Sequence, residues 1–189
     1  MAGTSEEEHL YGFKSLKIAR LRLPWLLTNL FGGVITGYLM WTFRATLAEV
    51  IALISFVPVI TGMGGNVGGQ SATIVVRGFA TGRIDSSTLR KVFFKELRVG
   101  AIMGAVCGTT VGLVAFFWHG NPVLGLVVGL AMVTAMTVAA TSGVLAPSFF
   151  QKAGIDPAIA SSPFVQTAND ITGILIYLGT ATYFLNYLR

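Results

Sequence analysis

Long apolar stretches alternate with short polar, mostly basic clusters along this chain. Leu23–Phe43, Val50–Val76 and Val99–Gln151 contain no Asp, Glu, Lys or Arg, and the last of these runs for 53 residues. A helical crossing of a bilayer takes about 20 apolar residues. The pattern therefore predicts an all-α polytopic membrane protein with five transmembrane helices. They are expected at about 22–42, 45–80, 91–118, 122–150 and 157–187, after a leader over 1–21, so that 22–189 forms one transmembrane domain.

The punctuation between these stretches supports the division. Pro24 suits a first-turn position, where the missing N–H costs little. Phe43-Arg44-Ala45-Thr46 reads as a short turn, and Thr81 to Ser87 as a polar loop with Asp85 or Ser86 as the cap of the next helix. His119-Gly120-Asn121-Pro122 closes one hairpin; Lys152 to Pro157 closes another, with Asp156 as N-cap and Pro157 in the first turn. Gly100, Gly104, Gly108 and Gly112 recur every four residues, and Gly33/Gly37 and Gly125/Gly129 repeat that spacing. Such small-residue faces predict close helix packing in lipid.

The second stretch is too long to be one straight span. A regular helix over 45–80 would be about 54 Å long at 1.5 Å per residue. Pro58 predicts a kink, and the glycines of Gly62-Met63-Gly64-Gly65-Asn66-Val67-Gly68-Gly69-Gln70 predict a loosened backbone. Such backbone at membrane depth belongs inside protein or beside water. Gly64, Gly65, Asn66 and Gln70 are therefore candidate pore-lining residues, with the two amides on one helical face. No Gly-Lys-Ser/Thr follows, so this is not a phosphate-binding loop.

Composition and charge refine the picture. Charged residues are 11% of the chain, about half the share in soluble domains. Lys14, Lys17, Arg20, Arg22, Arg77, Arg83, Arg90, Lys91, Lys95, Arg98 and Lys152 fall on one side of the predicted topology; Arg44 and Arg189 fall on the other. The positive-inside rule then places the N-terminus in the cytoplasm and the C-terminus outside; the membrane is expected to be a plasma membrane (a bacterial inner membrane). The lone Cys107 excludes an internal disulfide and a thiolate cluster, and His9 and His119 have no evident catalytic partners. An intramembrane aspartyl hydrolase would need two acids, so no enzyme is expected.

One acid remains to be explained. Asp170 is the only charged residue between Asp156 and Arg189, in the middle of the fifth predicted helix. A carboxylate at that depth is costly, and such residues usually mark ion pathways. Helical spacing puts Ser162, Gln166, Asp170, Gly173 and Tyr177 on one stripe, with Asn169 adjacent. Pro163 leaves a carbonyl without its helical partner, a further oxygen for an ion. No basic residue lies at similar depth, so a mobile cation is the expected partner of Asp170.

Gly-Met-Gly-Gly-Asn-Val-Gly-Gly-Gln-Ser-Ala-Thr at 62–73, followed by Arg77 to Gly82, resembles the second transmembrane helix of the MgtE family of magnesium channels, whose eukaryotic relatives are in solute carrier family 41. Asp156-Pro157-Ala158, Ser162-Pro163-Phe164-Val165 and Asn169 to Gly173 resemble that family's fifth helix, and the likeness covers roughly 17–187. The resemblance implies a homodimer of five-helix subunits, with a pore at the two-fold axis lined by the second and fifth helices. It implies that Asp170 of both subunits faces a hydrated Mg²⁺. Family members often carry Asn where this chain has Ser162. They also carry cytosolic regulatory domains, expected to be absent here, with Lys14 to Arg22 as a remnant of the connecting helix.

Mg²⁺ normally keeps several waters while touching one or two carboxylates. Two Asp170 side chains would match a divalent charge, while Asn66, Gln166, Asn169 and Ser162 would hold the hydration shell, with Pro163 and Gly173 lining the path. A single charged ring leaves binding weak enough for release. The alternative is a proton- or sodium-coupled secondary transporter, which also uses a buried carboxylate and broken helices.

Overall fold

A computed structural model describes residues 15–85 and 87–188. The segment with Glu6, Glu7, Glu8 and His9, together with Lys14, Ser86 and Arg189, lies outside the described residues. The elements are all helical: α1 (Ser15–Thr42), α2 (Arg44–Glu49), a 3-10 turn (Ile51–Phe56), α3 (Val57–Ala80), α4 (Leu89–His119), α5 (Pro122–Lys152), α6 (Pro157–Tyr183) and α7 (Leu185–Leu188). Three helical stretches among the described residues, Ile51–Ala80, Leu89–His119 and Pro122–Lys152, are long and apolar enough to cross a membrane.

The predicted Asp156 cap forms, and Asn121, expected only as part of a hairpin turn, is a cap as well. Asn121 opens α5 by accepting from the Val123 and Leu124 amides at 2.9 and 3.2 Å, and Asp156 opens α6 by accepting from the Ala158 amide at 2.9 Å. In both, proline takes the first turn. Gly120 closes α4 with φ of 68°, the left-handed conformation that glycine adopts without strain.

Three expectations are corrected. Pro24 sits inside α1, which begins at Ser15, because Leu, Lys, Ala and Arg in the preceding turns are good helix formers. The second stretch does not bend at Pro58, which occupies the first turn of α3. It breaks at Val50 (φ −129°, ψ 77°) and passes through the 3-10 turn, whose Leu53 carbonyl accepts from the Tyr177 hydroxyl at 2.9 Å. The Gly62–Gly69 segment is continuous α-helix rather than loosened backbone. Packing explains that: Gly64, Gly65 and Gly68 are buried against α6, and α6 occupies the space that side chains at Gly65 and Gly68 would need.

α5 is the central helix, packed against α3, α4 and α6, while α1 lies against α6. Gly104, Gly108 and Gly112 meet the backbone of α5; a Cβ at each would come within 2.9 Å of the Val133, 2.6 Å of the Gly129 and 2.7 Å of the Gly125 carbonyl oxygen. The four-residue repeat thus makes a backbone-to-backbone seam. Gly33 and Gly37 differ: their Cβ positions are open, and Gly32 instead meets Thr167 of α6. The core centres on Leu53, Phe56, Ile60, Met132, Ile174 and Tyr177. Leu30, Phe31 and Val34 of α1 and Ile102 and Val106 of α4 face outward.

Candidate ion-binding site

α6 carries the predicted polar stripe, and its neighbours fix how that stripe faces. Ser162 is exposed, Gln166 and Asp170 are half-buried, and Gly173 and Tyr177 are buried. Spacings of four, four, three and four residues keep these positions within about 80° of one face. Burial deepens along the helix from Ser162, and the stripe ends where Tyr177 bonds to Leu53. Gly173 faces α3, where its Cβ position is 3.8 Å from Ile60 Cγ2. Pro163 lies inside α6, so the Ile159 carbonyl lacks its usual helical donor.

Asp170 Oδ1 accepts from Gln166 Nε2 at 3.1 Å, a bond one helical turn long. Among the described residues it has no cationic partner. Nor does any group of three or more His, Cys, Asp or Glu gather there in a way that could hold a metal. One chain offers a single carboxylate flanked by an amide. That arrangement suits an ion that keeps its own water rather than one stripped and caged.

Asn169 sits differently from the stripe beside it. It is 2% exposed; its Oδ1 accepts from Ser142 Oγ of α5 at 2.7 Å and its Nδ2 donates to the Gly64 carbonyl of α3 at 3.3 Å. The amide thus ties three helices together at the residue before Asp170. Gly68 completes the seat, since a Cβ there would strike the Asn169 amide and approach the Ala139 carbonyl oxygen at 3.1 Å. Gly65 does the same for Gln166, whose amide fills the space a side chain would need.

Asn66 and Gln70 are exposed on the opposite side of α3 from this buried glycine face. A second anchor on α6 is Thr167, which donates to Asn29 Oδ1 of α1 at 3.0 Å. Two contributors escape the sequence pattern. Ser142 gives no signal within an apolar helix. Glu96, 6% exposed, accepts from Ser71 Oγ at 2.7 Å, and the sign of its burial is that it stands alone among the basic residues from Arg90 to Arg98.

Comparisons with known proteins bear on this arrangement. The chain is 38% identical over 184 residues to the magnesium transporter MgtE of Bacillus subtilis, covering 97% of this chain and 41% of that protein. It is 40% identical over 187 residues to the magnesium transporter MgtE of Enterococcus faecalis, covering 99% and 41%. With that of Thermus thermophilus it shares 40% over 172 residues, covering 90% and 37%. The chain thus spans about two fifths of the length of these relatives. The model of the MgtE divalent cation transporter family matches residues 57–180, from the start of α3 into the last turn of α6, and the chain belongs to that family.

Proposed function

We propose that this chain forms a passive pathway for Mg²⁺ across the membrane. In this reading α1, α3, α4, α5 and α6 are the five spans, with the N-terminus cytoplasmic, and two copies pair so that both Asp170 side chains face a hydrated ion at the two-fold axis. The observation that carries it is the Asp170 carboxylate itself: half-buried on a helix of a membrane transporter family, steered by Gln166 and without a basic partner among the described residues. An isolated carboxylate in hydrocarbon is costly, whereas one beside a water-filled path is not. The relatives' names support Mg²⁺ as the substrate.

Pairing is supported by polar groups left on the surface of a single copy. Asn66, Gln70 and Ser162 are exposed, and lipid-facing amides and hydroxyls lack partners. A second copy enclosing water would supply them. Gln166 and Ser162 then contact the ion's hydration shell, and Gly64, Gly65, Pro163 and Gly173 shape the wall beside it. Asn169 acts one step back, holding α6 at the rotation that presents Asp170.

The experiment is Mg²⁺ flux into liposomes holding the purified chain, driven by a Mg²⁺ gradient with sodium and proton gradients collapsed. Flux that follows the Mg²⁺ gradient alone supports the channel. Flux that appears only when a sodium or proton gradient is imposed favours the coupled transporter.

A further inference from the structure

The first turns of α4 carry a groove of about 610 Å³ lined by Arg90, Lys91, Lys95 and Arg98 with Phe94 and Ile102. All four basic side chains are exposed. The Arg90 guanidinium lies 5.9 Å from the centre of the Phe94 ring, which holds one charge over the apolar wall. Lys91, Lys95 and Arg98 follow at spacings of four and three, so they share a helical face. The single acid of α4, Glu96, is turned inward to Ser71 and does not neutralise them. Beyond Arg98 the helix has no further Lys or Arg, and Ile102 and Val106 stand 66% and 65% exposed.

We propose that this groove binds an anionic phospholipid, its phosphate headgroup held by Arg90, Lys91, Lys95 and Arg98 and an acyl chain lying along Phe94 and Ile102. Cationic side chains at the end of a membrane helix attract acidic headgroups, and basic pockets there hold them. The gradation from four charges to bare aliphatic surface along one helix matches a molecule with an acidic end and a hydrocarbon end. A free phosphate would use only the first half of the groove, and an acidic soluble peptide would leave Ile102 and Val106 uncovered. The inference rests on α4 crossing the membrane and not on the transported ion.

The test is native mass spectrometry of the full chain in detergent, titrated with equal amounts of phosphatidylglycerol and phosphatidylcholine. The unmodified chain should retain phosphatidylglycerol about tenfold over phosphatidylcholine. Arg90→Gln/Lys91→Gln/Lys95→Gln/Arg98→Gln should bring that ratio close to parity. The ratio should survive in Lys91→Arg/Lys95→Arg, which keeps the charge, and in Arg77→Gln/Arg83→Gln, which removes charge elsewhere. All four substituted side chains are exposed, so the variants should remain folded, and unchanged melting temperatures check this. An undiminished ratio in the four-residue variant, or parity in the unmodified chain, overturns the proposal. So does displacement of the lipid by inorganic phosphate or by a polyglutamate peptide at equal concentration. Because no ion flux is read, its failure is distinguishable from a failure of the Mg²⁺ reading.

Discussion

Ser142 of α5 donates its hydroxyl to Asn169 Oδ1 of α6 at 2.7 Å, one residue before the carboxylate proposed to meet the ion. The other end of the same amide holds the Gly64 carbonyl of α3. Asn169→Ala would remove both of these bonds between helices, at about 1–3 kcal/mol together. We expect a lower melting temperature in detergent and a loss of Mg²⁺ flux. Ser142→Ala removes one donor and should cost about 1 kcal/mol with partial retention of flux. Equal melting temperatures for Asn169→Ala and the unmodified chain would contradict the fastening role.

The glycines of α3 should separate by the face they occupy. Gly68→Ala meets the Asn169 amide and the Ala139 carbonyl, and overpacking of this kind costs about 1–3 kcal/mol. Gly69→Ala has open space and should be neutral or stabilise α3 by up to about 1 kcal/mol. Gly65→Ala meets the far end of the Gln166 side chain first, so it should disturb the bond to Asp170 and lower flux with less change in melting temperature than Gly68→Ala. Melting curves paired with liposome flux for the three variants check the order.

The Tyr177 hydroxyl is a single fastening of the 3-10 turn to α6. Tyr177→Phe keeps the ring in the core and should cost about 1 kcal/mol, read as a lower melting temperature. Hydrogen exchange should quicken in Ile51–Phe56 and remain unchanged in the α4–α5 seam.

The loop before α4 provides a pH test. Asp85 accepts from the Ser87 hydroxyl, the Thr88 amide and the Thr88 hydroxyl, and these bonds hold its pKa at about 2, below the ordinary 3.8. A depressed carboxylate pKa contributes stability above the ordinary value that fades as pH falls toward the folded one. Amide protection at Thr88 should therefore hold at about pH 5 and fall below about pH 3. Asp85→Ala should lose it across the range.

The start of α6 was readable because local chemistry makes it: Asp156 before Pro157 caps whatever the helix later packs against, and Asn121, expected only as part of a hairpin turn, caps α5 in the same way. The Gly100–Gly112 seam was readable for the same reason, since a bare face at four-residue spacing invites a backbone. What the sequence hid depends on partners distant in the chain. The break at Val50 is braced by Tyr177, 124 residues beyond Leu53. The α3 glycines look like helix breakers in isolation, yet α6 and α5 fill the surface they leave. Asn169 and Asp170 are neighbours of similar polarity, and only the positions of Ser142 and Gly64 tell the fastener from the half-buried acid. Gly33 and Gly37 carry the packing signature, yet it is Gly32 that meets α6.

The central claim is that the Asp170 carboxylate meets the passing ion. Its most direct measurement is Mg²⁺ uptake into liposomes by the unmodified chain and by Asp170→Asn at matched protein content, with dimer assembly checked by cross-linking. Asn preserves the size of the side chain and its bond to Gln166 while removing the charge. We expect uptake to be abolished with the dimer intact. Uptake by Asp170→Asn equal to that of the unmodified chain would contradict the account.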